Sequence, residues 1–177
     1  MLKNGKMTKK LFIVILTVLI ATANHSANSF AEEVNPYGGV AIKPPGPNEI
    51  IFTVTNGNKI VKYSTKSLKA LNPTIITIYE PFVKKEQSFT VIPISTIAKK
   101  SGINSKATLK TIALNDYTYT NTLRNFVKAK GYIAIARNGK PIPYDQGGPI
   151  RIVFPKESKW AKFLDPWNWS LSSIVVK

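Results

Sequence analysis

Residues 138–155 read Asn138-Gly139-Lys140-Pro141-Ile142-Pro143-Tyr144-Asp145-Gln146-Gly147-Gly148-Pro149-Ile150-Arg151-Ile152-Val153-Phe154-Pro155. Asn-Gly tolerates positive φ at both positions and is the strongest short hairpin signal. Tyr132–Arg137 before it therefore reads as a strand that reverses there. Gly147-Gly148-Pro149 is a tight turn; it lacks the lysine and spacing of a phosphate-cradling P-loop. It leads into 150–154, an apolar run that reads as a buried strand. Arg151 stands inside that run, so its charged head must find a partner or reach a cleft.

Working outward, the same alternation of strands and turns continues. Residues 49–55 are β-branched and partly alternating, Asn56-Gly57 is a second hairpin signal, and 59–63 is the returning strand. Ser64 or Thr65 caps a short helix through Leu71, which Asn72-Pro73 ends. Residues 74–79 and 87–92 are two more strands, and Pro93 breaks the second ladder. Ser95 is the expected cap of a helix over 96–100, with Gly102 as its stop. Residues 108–114 form a strand. Leu123, Phe126 and Val127 at i, i+3, i+4 predict a helix over 121–130 closed by Gly131. A final strand is expected over 167–176 after an irregular stretch, with Trp169, Leu171 and Ile174 as apolar anchors. Strands with short interspersed helices predict a compact α+β domain built on a mixed sheet, spanning 49–177.

Two segments precede that domain. Lys3, Lys6, Lys9 and Lys10, the apolar run 11–21, and Ser29-Phe30-Ala31 make the three-part pattern of a secretory signal over residues 1–31. The run is shorter than the roughly 20 residues a spanning helix needs, so cleavage and a periplasmic or secreted product are expected. Residues 32–48 are rich in Pro and Gly, an extended arm that tethers or straps the domain.

The chain has 177 residues, no Cys, one His (His25) and two Met (Met1, Met7). His25 and both methionines lie in the leader, so the mature chain would carry no sulfur and no imidazole. That excludes disulfides, a thiolate nucleophile, a Cys/His zinc site and a Ser-His triad. Four of the 25 Lys+Arg and none of the nine Asp+Glu fall in the leader, which leaves 21 bases against nine acids, net +12. The bases are scattered rather than gathered into a nucleic-acid stripe. They read as a solvated basic surface, or as an attraction for anionic ligands, partners or lipid headgroups.

Several motifs occur in a telling order. They are Lys62-Tyr63-Ser64 before a helix ending at Leu71-Asn72, and 89–97 running into a short helix near Gly102. Ala113-Leu114-Asn115-Asp116-Tyr117 follows, then the 138–155 block, then a tryptophan-bearing segment before the last strand. Together they resemble the oxidoreductase molybdopterin-binding domain, the fold of sulfite-oxidase-like enzymes, over residues 49–177. The resemblance implies that fold, a pocket and, in catalytic members, molybdenum held by a cysteine sulfur. Here the metal-ligand position falls near Tyr79 and Glu80. A hard carboxylate is a poor substitute for a soft thiolate, so no cofactor is expected, although the family would imply molybdopterin.

The candidate binding residues are Asn115, Tyr117, Arg124 and Arg151, expected to line one cleft for a small anion, the arginines by charge and the others by orientation. Structural ion pairing is the bland alternative for each arginine, and core packing for the tyrosines and for Trp160, Trp167 and Trp169. Asp116, Asp145, Glu80 and Glu86 read as surface ion-pair partners rather than as a catalytic carboxylate pair. Three functions follow: a metal-free binding or accessory module for a small anion or an envelope protein, a periplasmic molybdopterin-dependent oxidoreductase, or a structural envelope-docking protein. No specific nucleic acid is expected as a partner.

Overall fold

The computed structural model describes residues 43–177; the leader and residues 32–42 of the arm lie outside the described residues. Within them the elements run β1 Ile50–Asn56, β2 Lys59–Ser64, α1 Thr65–Lys69, β3 Thr74–Glu80, β4 Lys85–Pro93 and α2 Ile94–Lys100. They continue as β5 Thr108–Ala113, β6 Thr118–Thr122, α3 Leu123–Lys128, β7 Tyr132–Arg137, β8 Arg151–Val153 and β9 Leu171–Val176. A 3-10 turn, Tyr144–Gln146, precedes β8.

The strands form a five-stranded sheet in the order β2-β1-β9-β5-β6 and a four-stranded sheet in the order β3-β4-β7-β8. β1 lies parallel to β9, and the other pairings are antiparallel. Both sheets feed one apolar core. Phe52, Val54, Leu109, Leu171 and Ile174 come from the first, and Ile78, Phe89, Val91, Ile133 and Ile152 from the second. Trp160, Trp167 and Phe154 pack edge-on beside them. The fold is α+β with short helices, as the turn and strand pattern predicts.

Local chemistry explains the differences in detail. At the first hairpin Asn56 pairs with Lys59, so the turn is Gly57-Asn58, with Gly57 at φ 56°. The Asn56 side chain instead donates to the carbonyls of Ser101 and Gly102, at 3.3 and 3.0 Å. Ser64 caps α1 in a reciprocal box with Ser67. Ser95 caps nothing: α2 begins earlier, at Ile94, whose N–H is met by the Gly131 carbonyl at 3.0 Å. Lys130, not Gly131, takes the left-handed conformation after α3. Gly131 is crowded: a Cβ there would stand 2.9 Å from Ile94 Cδ1 and 3.2 Å from the Phe126 carbonyl oxygen. β6 is threonine-rich and polar, and it takes Asn121 out of the expected helix. Thr122 then caps α3 by accepting from the Asn125 N–H. Trp167 and Trp169 sit in the loop before β9 rather than within the strand.

Candidate functional site

Strand periodicity decides which of Tyr79 and Glu80 faces inward. Successive side chains of β3 alternate between faces, so Ile78 and Glu80 point into the protein and Tyr79 points out, 44% exposed. Glu80 is fully buried, at 0%. It sits where β3 turns into β4, paired with Lys85 across the hairpin. Its Oε2 accepts the Val83 N–H at 2.8 Å and so closes the turn.

Its Oε1 accepts from Arg151 Nη2 at 3.0 Å, and both side chains are at 0% exposure. Arg151 opens β8, while Glu80 ends β3. These strands are the two edges of the four-stranded sheet, so the ion pair reaches across the faces of β4 and β7. The guanidinium lies over Phe89 of β4, 5.6 Å from its ring centroid, and under Trp169, 4.4 Å from its centroid. Two aromatic faces with a carboxylate at the edge satisfy a cation that would otherwise be costly to bury. The expectation that Glu80 is a surface ion-pair partner is therefore corrected, because its partner is internal.

Trp169 has a second face. With Phe82, Asn115, Tyr117, Leu164, Asp165, Trp167 and Asn168 it lines a cleft of about 300 Å³. Phe82, from the turn that Glu80 holds, meets Trp169 edge-on at 4.9 Å. The Tyr117 hydroxyl donates to the Asp165 carbonyl at 3.0 Å. Burial first, then the Asp165 charge and Tyr119, push the Tyr117 phenol above its ordinary value of 10.0, so it stays a donor at neutral pH. Asn168 is 1% exposed. Its amide nitrogen donates to Thr111 Oγ1 at 3.0 Å, and its carbonyl anchors the Ile152 N–H. The side-chain oxygen of Asn168 is buried and accepts no hydrogen bond among the described residues.

The four expected binding residues thus part company. Asn115 and Tyr117 share the aromatic cleft. Arg151 lies behind its Trp169 wall, already paired. Arg124 lines a different groove, between α2 and α3. The aromatic cleft carries no lysine or arginine in its lining and one acid, Asp165. Phe82, Asp165 and Asn168 escaped sequence reasoning. Phe82 lies in a turn without periodicity, Asp165 lies in the irregular stretch, and Asn168 falls in the expected strand 167–176 but sits in the loop before β9; only the clustered tryptophans beside them signal a wall. Among the described residues no three His, Cys, Asp or Glu side chains come together. No helix there is long and apolar enough to cross a membrane.

The family model of the oxidoreductase molybdopterin binding domain matches residues 57–170, well over half of the chain. Among solved structures, the chain is similar to the sulfane dehydrogenase SoxCD from Paracoccus pantotrophus, with a TM-score of 0.58 at 12% identity. The likeness covers 77% of this chain and 40% of that one, so this chain corresponds to less than half of the SoxCD chain. At that identity the likeness speaks for the fold. The search of curated proteins gave no match.

Proposed function

The chain belongs to the oxidoreductase molybdopterin binding domain family, and from that premise we propose that it is a binding module that works without molybdenum and holds a small, flat ligand in the aromatic cleft. The observation that carries the reading is the engagement of Glu80. The resemblance implies that the family's metal-ligand position falls near Tyr79 and Glu80, and of the two Glu80 faces inward. Its oxygens are hard donors, one held by Arg151 and the other by the Val83 N–H. A fully buried carboxylate with both oxygens already hydrogen-bonded is a poor metal ligand, and molybdenum favours sulfur. The cleft beside it offers no cation for a pterin phosphate. The residues present do not fit the cofactor.

What the cleft does offer suits another kind of guest. Phe82, Trp167 and Trp169 supply apolar and ring surface, and the exposed Asn115 and Asp165 add polar groups. With Asp165 as the one charged residue of the lining, a neutral or cationic ligand with an N–H or O–H at its edge is favoured over an anion. The leader pattern of Lys3, Lys6, Lys9, Lys10 and the run 11–21 supports a place outside the cytoplasmic membrane. Native mass spectrometry of the protein purified from a cofactor-competent host tests the reading. The expected species is the polypeptide alone or with a small organic adduct that Trp169→Ala removes. A molybdopterin adduct would refute it in favour of an oxidoreductase.

A further inference from the structure

A second concavity lies away from the cleft, between α2 and α3. Its lining is Ser95, Ala98, Lys99, Ile103, Ser105, Leu123, Arg124, Val127 and Lys128, around a volume of about 400 Å³. Helical spacing builds it: Ser95, Ala98 and Lys99 stand at i, i+3, i+4 on α2, and Arg124, Val127 and Lys128 repeat that spacing on α3. Ala98, Ile103 and Leu123 belong to the floor, and Val127 is left 46% exposed. The charged residues of the lining are all cations. None of Lys99, Arg124 and Lys128 has an ion-pair partner among the described residues.

The surroundings reinforce this sign. From Gln87 to Tyr144 the chain holds a single acid, Asp116, against nine lysines and arginines. A solvated helix face would ordinarily mix both signs, with acids four residues from bases in support of each helix. Here α2 and α3 have no acid at all. An apolar floor framed by uncompensated cations is complementary to a segment that is apolar on one side and acidic on the other.

We propose that the α2–α3 groove docks an acidic amphipathic segment of a partner protein, an apolar side chain entering between Ala98 and Val127 while carboxylates meet Lys99, Arg124 and Lys128. The helix α2 that forms one wall has seven residues and is about 10 Å long, which matches about two turns of a partner helix. A concave floor of this size fits single side chains better than a bilayer, which would call for apolar residues projecting from a flat basic face. Val127 is the exposed large apolar residue of these two helices. The inference is independent of the ligand assigned to the aromatic cleft.

The test uses the purified protein and a synthetic helical peptide with leucines on one face and glutamates on the other. Controls are the same composition in scrambled order, and phosphatidylglycerol vesicles. Amide NMR shifts should localise to α2, the 101–107 loop and α3. Binding should fall more than about tenfold in Lys99→Glu/Arg124→Glu/Lys128→Glu and weaken with salt. All three side chains lie on a solvent-facing rim, and an unchanged melting temperature verifies folding; Arg124→Gln alone should weaken binding severalfold in the same direction. Absence of binding, equal binding of the scrambled peptide, shifts elsewhere, or binding of the vesicles in place of the peptide would each overturn the proposal.

Discussion

Replacing Glu80 by alanine leaves the Arg151 guanidinium fully buried between Phe89 and Trp169 without its carboxylate. Breaking a buried pair by removing one partner costs about 3–5 kcal/mol, because the remaining charge is uncompensated. The Val83 N–H also loses its acceptor at 2.8 Å, which adds about 1 kcal/mol. A domain of this size loses about 2–4 °C of melting temperature per kcal/mol, so the expected fall is on the order of 10 °C. Urea unfolding followed by the fluorescence of Trp160 and Trp167 would read the same loss as a lower midpoint at unchanged slope. The double variant Glu80→Leu/Arg151→Met removes both charges together and should cost less than either single change, since an apolar pair of similar volume replaces a buried ion pair at little loss. Glu80→Ala within about 1 kcal/mol of the parent, or strict additivity in the double variant, would refute the claim that the two side chains form one internal unit.

Trp167 is at the core and donates its indole N–H to the Trp160 carbonyl at 3.1 Å, so Trp167→Ala should lower stability by about 3–5 kcal/mol in the same urea assay. Trp169→Ala, from a half-buried ring, should cost less in stability yet open the cleft onto Arg151, seen as faster quenching of the remaining indoles by iodide. Gly148→Ala would put a Cβ at 1.9 Å from the Ile142 carbonyl oxygen, a backbone clash worth about 3 kcal/mol, the upper end of the usual overpacking range; circular dichroism melting should show it. The raised Tyr117 phenol means that the fold favours the neutral form. Its contribution is intact below the ordinary value of 10.0 and lost as the pH climbs through the higher folded value. Tyr117→Phe should therefore flatten part of the alkaline fall in melting temperature.

The turn-and-strand grammar was legible wherever backbone chemistry is local. Asn138-Gly139 reverses the chain with φ of 49° and 74°, as its residue types predict. Ser64 caps α1, and Gly102 ends α2 at φ 68°. Local rules failed where a distant group substituted for them. The Gly131 carbonyl does for α2 what Ser95 was expected to do, and β6 forms because β5 offers it an edge, although Thr-Tyr-Thr-Asn-Thr has no apolar alternation. At the site, Arg151 announced a need for a partner by standing in an apolar run, but the identity of that partner depends on β3 and β8 being opposite edges of one sheet. Sequence spacing holds no record of that pairing across 71 positions. Arg124 and Arg151 looked alike as isolated cations; burial separates them, one becoming a strut and the other a rim.

On the proposed reading, the Glu80–Arg151 pair fills the region near Tyr79 and Glu80 where the family resemblance implies a metal ligand. Elemental analysis and pterin fluorescence of the protein produced in a host that makes the cofactor test it most directly. No molybdenum or pterin above background is expected in the purified protein. Stoichiometric molybdenum that survives gel filtration and brings a pterin signal with it would overturn the metal-free reading.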